Sequence, residues 1–484
     1  MEKKVLLSLL LFAQLCFANQ EQAAAENVEL IVSTNEHDFS ICSKSLQNCT
    51  IQVSGSGCLS PAGSVTITNT SRIVAKNISA SSVDPNFINY IVQNNHCPTS
   101  LAPGASCSIS FTTNTSVAFS VTNVMVKGTN TNATFFDINT TTCASTGALE
   151  PTPGSPVLTG NHASNLDISP NSQFLYVSGY NGTVAGFNIN GTTGALTPVL
   201  GSPFPGGSQF TAVAVSPNGN FAYVTDNANS RVVAYSINPS TGALTTIFGS
   251  PFTGVNGPND IAISPNGNFA YVVNQNDNTI SAFTLNTLTG AMTPIGSPIN
   301  AGGNPYAVAV SPNGSFVYAV NFYDGTISQY TINPITGALT PILGGAVPTG
   351  SYPVDIVVSP NNQFVFVAAA NGMGYSLNGF DTSIWIYSVN SSTGALTDVT
   401  PIVPSTPSSA VAITPDGKFV YEASYQTDQL IADSVDQTTG ALTTLPQSPY
   451  STGNGPSAIG ITANGKFVYV VNINDNSISG FSIH

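Results

Sequence analysis

At 484 residues the chain is long enough for more than one core, and its formal net charge of −14 with only 7% charged residues gives an acidic but mostly uncharged surface. Nucleic acid and anionic membranes both need a cationic patch, so this balance excludes them as partners. All seven cysteines lie before residue 144, and Ala144 to His484 contains none, so composition alone places a boundary near Cys143.

Met1 to Ala18 has a basic start (Lys3, Lys4), an apolar run from Val5 to Phe12, and small residues Cys16 and Ala18 where a cleavage site needs them. This predicts a signal peptide over 1–18 and a short linker over 19–27, and therefore a secreted, periplasmic or cell-surface location. A lipid anchor on Cys16 would be the alternative, but Gln14 and Leu15 suit it poorly. No later segment has the roughly 18 uninterrupted apolar residues of a membrane span.

Residues 28–143 hold the six cysteines beyond the leader: Cys42, Cys49, Cys58, Cys97, Cys107 and Cys143. In an oxidising compartment, with no CxxC pair, such a cluster predicts disulfides rather than zinc, and the spacing selects no pairing. Alternating runs at Ser64–Thr70 and Cys107–Thr113 predict strands.

From residue 144 onward two series interleave. The first is a turn of the form STGAL, whose glycines (147, 194, 242, 290, 337, 394, 440) are 47, 48, 48, 47, 57 and 46 residues apart. The second is SPNGNFAYV and its variants, starting at Ser169, Ser216, Ser264, Ser311, Ser359, Thr414 and Thr462. A period in the high forties, with four short β-type runs per unit and no helical pattern, predicts seven propeller blades. The chain enters with a turn and outer strand at Gly147 to Glu150 and ends at Ser479 to His484 on a strand that lacks a fourth neighbour. The two fragments are predicted to complete one blade and close the ring, which removes open sheet edges.

Tyr223-Val224-Thr225-Asp226, Tyr271-Val272-Val273-Asn274 and Tyr469-Val470-Val471-Asn472, each after a Ser/Thr-Pro/Ala-Asn-Gly turn, together with TGALTP endings such as Gly194 to Pro198, carry a likeness. On these residues the chain resembles the lactonase-like β-propeller family and its relatives named for the Tyr-Val-Thr-Asn repeat. The likeness implies an all-β, seven-bladed propeller over 144–484; its motifs are structural and identify no activity. The segment Leu101-Ala102-Pro103-Gly104-Ala105, ahead of the strand at Cys107, is similar to the immunoglobulin-like modules of bacterial surface proteins, which implies a small disulfide-containing β-sandwich over residues 28–143 that acts as a spacer or adhesive stalk.

The connections between blades differ from unit to unit, whereas the SPNG and TGAL turns are nearly identical, so a site is expected on the face with the variable connections. Aligned inner strands put Asn165, Ala212, Asp260, Ala307, Asp355, Ala410 and Ala458 at one position, with Asp167 two residues on in the first blade. Pointing inward, these side chains would bind a cation, raise a carboxylate pKa for base catalysis, hydrogen-bond a polyol, or simply cap neighbouring backbone donors or bind channel water. His162 at the mouth of the first inner strand would shuttle a proton, or hydrogen-bond as an ordinary loop residue. Arg231 is the one cation expected near the mouth. The nine-residue excess of the fifth unit carries Tyr375, Phe380 and Asp381, with Trp385, the sole tryptophan, just beyond; these residues suit sugar or peptide contact.

No GxSxG elbow, HExxH or phosphate-cradling loop is present, and the Asn-rich turns lack the spaced acidic ligands of a calcium loop, so no cofactor or metal is expected. Two functions fit. One is an exported, monomeric recognition propeller for a glycan, peptide or protein; the other is hydrolysis of an uncharged lactone, with Asp260 or Asp355 activating water, His162 moving the proton and Arg231 polarising the carbonyl. The scarcity of cations speaks against a phosphorylated lactone such as 6-phosphogluconolactone.

Overall fold

The computed structural model describes residues 30–34, 50–54, 63–69, 74–83, 87–88, 91–113, 120–127, 129–130, 134–141, 146–160, 162–370, 384–399 and 407–484. Two compact units divide the chain, Met1–Ala144 and Ser145–His484. The leader and linker expected over 1–27 lie outside the described residues.

In the first unit, Leu30–Thr34, Gly63–Asn69, Ser106–Thr113 and Ile91–Asn95 form one sheet in that order, and Thr50–Ser54, Thr134–Thr141, Ser120–Lys127 and Ser79–Ser81 form a second. Ile67, Ile109 and Phe111 from the first sheet and Ala80, Val124 and Val126 from the second share one buried cluster, so this is a two-sheet sandwich. Cys97 and Cys107, ten residues apart, are disulfide-bonded. The other five cysteines lie outside the described residues.

The second unit is the expected propeller. Its seven inner strands are Ala163–Ile168, Phe210–Val215, Pro258–Ile263, Pro305–Val310, Pro353–Val358, Ala410–Ile413 and Pro456–Ile461, each starting an antiparallel sheet that runs outward. Each inner strand packs on the next, and the seventh packs on the first. The seventh blade is stapled as expected: Leu149, Glu150 and Pro151 pair with Ile483, Ser482 and Phe481. The amides of Thr146 and Gly147 also donate to the His484 carbonyl at 2.7 and 2.8 Å.

The core lies between blades rather than within them. The second strand of every blade is buried along all six of its residues, because a propeller sheet has a neighbour on each face. Val177 and Phe187 of the first blade, for instance, pack with Tyr469 and Ile478 of the seventh.

Both repeated motifs prove to be fasteners. The Ser or Thr opening each SPNG turn accepts a hydrogen bond from the amide of the Phe five residues on, as Ser169 does from Phe174 at 2.9 Å, and this fixes the hairpin. That Phe then lies under the TGAL glycine of the next blade. A Cβ on Gly290 would stand 2.5 Å from the Phe221 ring, and its φ of +76° already favours glycine. Two residues past each Phe, a tyrosine donates to the same glycine's carbonyl: Tyr176 to Gly242, Tyr223 to Gly290, Tyr271 to Gly337, Tyr318 to Gly394, Tyr421 to Gly147 and Tyr469 to Gly194.

Only the fifth blade departs, with Phe366 in the tyrosine's place. Phe366→Tyr is therefore expected to add the seventh clasp, to the Gly440 carbonyl, and to raise stability by about 1 kcal/mol, while Tyr271→Phe lowers it by a similar amount. Urea unfolding of both variants checks this, and an unchanged midpoint for Phe366→Tyr counts against the clasp.

Candidate functional site

The inner strands enclose a channel cavity of about 1000 Å³. At the position aligned from the sequence, Asn165, Asp260, Ala307, Asp355, Ala410 and Ala458 each pair with the residue four past the conserved Phe of the second strand, so the alignment holds in space. Asn165, Asp167, Asp260 and Asp355 all line the channel.

The three carboxylates are braces first. Asp260 accepts from its neighbour's amide, Ile261, at 2.8 Å, and from Val308 of the next blade at 2.9 Å. Asp355 does the same with Ile356 at 2.8 Å and Val411 at 2.9 Å, and Asp167 with Ile168 and Val215, both at 2.7 Å. The carboxylates thus tie blade one to two, three to four, and five to six, as the backbone-capping alternative anticipates. Burial pushes all three carboxyls up, against the lowering effect of those amides: Asp167 to about 6 and Asp355 to about 7, with Asp260 also raised. Asp260 adds a repulsive contribution at the other two.

A second set of ties runs one residue earlier. Ser164 donates to the Thr211 carbonyl, Thr211 to Pro258, Asn259 to Tyr306, Ser409 to Pro456 and Ser457 to Ser164, at 2.6–3.3 Å. The fourth and fifth blades break this series with Tyr306 and Val354.

Tyr306 instead joins an aromatic cluster at the channel mouth. Its ring centroid lies 5.5 Å from that of Phe322, and Phe322 lies 4.9 Å from Tyr352 and 5.5 Å from Tyr323. Tyr180 and Tyr425 line the same cavity, each, like Phe322, directly following a second strand. Burial, with Tyr180, Asp260 and Asp355 nearby, pushes the Tyr306 phenol up to about 12, so it is a hydrogen-bond donor at any physiological pH. Below the aromatic rim the lining turns apolar, with Val213, Ile261, Val308, Ile356 and Val411 among others. Tyr306, Phe322 and Tyr352 were not singled out in the sequence. The signal was there in Tyr306, which stands where five other units carry Ser, Thr or Asn.

Other expected site residues are not gathered here. Arg231 is turned to Asp226, its Nε 2.8 Å from a fully buried carboxylate that also accepts from Asn229 and from the Ser208 and Gln209 amides. Against burial, which pushes it up, the bonds from Asn229 and Arg231 hold the Asp226 carboxyl below its usual range. This pairing pins a connection between blades, and Arg231 is absent from the channel lining, so it does not face a carbonyl placed beside Asp260 or Asp355. His162 is exposed on the loop before the first inner strand, also outside the lining, with its carbonyl accepting from Tyr180. Trp385 packs half-buried on the hydrophobic cluster between the fourth and fifth blades, because it sits inside a third strand rather than in a connection. Tyr375, Phe380 and Asp381 lie outside the described residues.

Among the described residues, no Lys, Arg, His or Glu lines the channel. The intervening segments 371–383 and 400–406 contain none of these four residue types either. No group of three or more His, Cys, Asp or Glu placed to hold a metal ion occurs among the described residues, and no described helix is long and apolar enough to cross a membrane.

A family model described as lactonase, 7-bladed beta-propeller, matches residues 181–309, 303–406 and 369–484. No curated protein matches the chain. Among solved structures, a periplasmic gluconolactonase of Pseudomonas aeruginosa is similar at 18% identity, with a TM-score of 0.52, over 69% of this chain and 92% of that one. A candidate 6-phosphogluconolactonase of Bacteroides fragilis is similar at 19% identity and TM-score 0.51, over 61% and 86%. Hydrazine synthase of Kuenenia stuttgartiensis is similar at 19% and 0.51, over 68% and 97%. Likeness at such identities speaks to fold alone.

Proposed function

The chain belongs to the seven-bladed lactonase β-propeller family, and from that premise we propose that it is an exported recognition propeller that binds its ligand in the mouth of the channel. One observation carries the reading: an aromatic wall of Tyr306, Phe322 and Tyr352 stands over a large cavity whose described lining holds no His, Lys or Arg. Rigid aromatic rings with a few polar groups at a cavity mouth are the usual composition of a binding site. A phosphorylated lactone finds no cation there to meet its phosphate. Export rests on the basic start and apolar run of residues 1–18.

Tyr352→Ala is expected to weaken binding of the cognate ligand, found by titrating glycans and peptides against the protein, by about tenfold or more through loss of buried aromatic area. Ligands bound equally by the wild type and this variant would remove the site from the channel mouth.

Lactone hydrolysis is the second reading, favoured by one feature. The Asp355 carboxyl, pushed up to about 7, is suited to take a proton from water near neutrality, with the Tyr306 phenol as a donor to a carbonyl. It predicts turnover of uncharged lactones that rises with pH through about 7 and is lost in Asp355→Asn. Protein inert toward a broad lactone panel would end this reading.

A further inference from the structure

Several polar side chains of the channel mouth have their hydrogens already engaged. The hydroxyls of Ser164, Thr211, Ser409 and Ser457 and one N–H of the Asn259 side chain are spent on backbone carbonyls of neighbouring blades. Asp167, Asp260 and Asp355 are acceptors when ionised, and no cation stands among the described lining residues. What faces a ligand is three carboxyls and the rings of Tyr306, Phe322 and Tyr352 above an apolar floor, with the Tyr306 phenol and the Asn165 side-chain amide among the donors. An anion needs positive charge, which no described lining residue supplies. A group that carries positive charge and hydrocarbon matches the rings, the carboxyls and the apolar wall together. Ring faces attract such cations through their quadrupoles, most strongly where water is excluded.

We infer that the channel mouth takes an organic ammonium group, seated against Tyr306, Phe322 and Tyr352 with its alkyl part on the apolar wall and the Asp260 and Asp355 carboxyls beneath it. This assignment rests on the reading that the mouth is the binding site, and it narrows the ligand to one chemical class. The carboxylates keep their backbone bonds in the complex, since each oxygen has a further lone pair for the cation's field. Binding of a cation also favours the ionised form of Asp355 and Asp167, so affinity should rise as pH passes from about 5 to about 8 even for a quaternary ammonium, which does not itself titrate.

Choline and its neutral isostere 3,3-dimethylbutan-1-ol test this directly, because they share shape and differ in charge. Titration calorimetry at about pH 8 is expected to give choline an affinity about tenfold above the alcohol. That preference should shrink at about pH 5 as the carboxyls take up protons. Phe322→Leu keeps the apolar volume and removes the ring face, and is expected to lower choline affinity severalfold while leaving the alcohol's unchanged. Equal affinity for the two compounds, or no choline binding, overturns the ammonium assignment. A panel of neutral methyl glycosides, titrated in parallel, separates the two levels of the argument. Glycosides whose binding is lost in Phe322→Leu, with choline no better than the alcohol, would leave the mouth as a site and remove the cation. No ligand of any kind sensitive to Phe322→Leu would remove both.

Discussion

A chain ending at Asn476 is expected to lose its cooperative unfolding transition and to aggregate, although it forfeits only eight of 484 residues. Those residues contain the third strand of the seventh blade, Ser477–Ile483, which pairs with Phe467–Asn472 on one side and with Leu149–Pro151 and Val157–Leu158 on the other. Without it the entering strand has no partner, and Phe467–Asn472 becomes an edge whose side chains are all buried in the intact ring. An apolar strand with unpaired amides is a template for association. The milder form of the experiment is Leu149→Ala. Leu149 is 5% exposed and packs with Phe419, Tyr421, Phe481 and Ile483 at the junction of the sixth and seventh blades. Its truncation should cost about 2–5 kcal/mol, the usual range for a buried leucine. Calorimetric unfolding and size-exclusion chromatography report both effects. A shortened chain that melts within a degree or two of the intact one would mean that the circle does not depend on this joint.

Raising the pH from about 4 to about 8 is expected to destabilise the propeller through its channel carboxyls. In the unfolded chain an aspartate titrates near 3.9. Folded, Asp167 is pushed up to about 6 and Asp355 to about 7, with burial as the main cause. A carboxyl raised by folding favours the native state while it is protonated. Its contribution is full below the unfolded value and is lost as pH climbs through the folded one. Between them the two groups represent several kcal/mol across that window, as an order of magnitude. Asp355→Asn isolates one of them. The amide keeps an acceptor for one of the two backbone N–H groups of Ile356 and Val411 and sets an NH₂ against the other. The variant should therefore be about 1–2 kcal/mol less stable than the wild type at about pH 4. The deficit should close or reverse at about pH 8, where the wild type must bury a charge. Urea denaturation of both proteins over this range measures the difference, and parallel curves would contradict the assignment of the shift to Asp355.

The blades were legible in the sequence because their signals are local and repeated seven times. A turn that needs Asn, Gly and a small hydroxyl within six residues writes itself into a single unit, and the tyrosine and glycine that clasp neighbours recur with it. The staple was legible for the same reason, since an outer strand at Gly147 to Glu150 without inner strands points to its missing complement. The site was harder to read because its partners come from other blades. Nothing near Asp260 in sequence reveals that the Val308 amide, 48 residues away, occupies one of its oxygens. Arg231 has its carboxylate only five residues back, but Asp226 lies inside the repeated Tyr-Val-Thr-Asp motif, where nothing sets it apart from the Asn that other units carry there. The longest connection draws attention to Tyr375 and Asp381, whereas the aromatic wall comes from single residues next to ordinary strand ends of the fourth and fifth units. Tyr306 shows where such a signal hides: it interrupts a series of short hydrogen-bonding residues at one fixed register.

The fifth and sixth blades meet without either of the repeating polar ties found at other seams, since Phe366 carries no hydroxyl and Val354 replaces the short donor. Among the described residues two hydrogen bonds span that seam, from the Val411 amide to the Asp355 carboxyl at 2.9 Å and from the Ser408 amide to the Ala369 carbonyl at 3.3 Å, and only the first responds to acidity. A hoop with one joint fastened by an acid has a built-in place to gape, and acidity sets how tightly it shuts. Amide deuterium uptake at Val411 should therefore quicken with alkalinity beyond the intrinsic chemical rate, ahead of amides at the six other junctions.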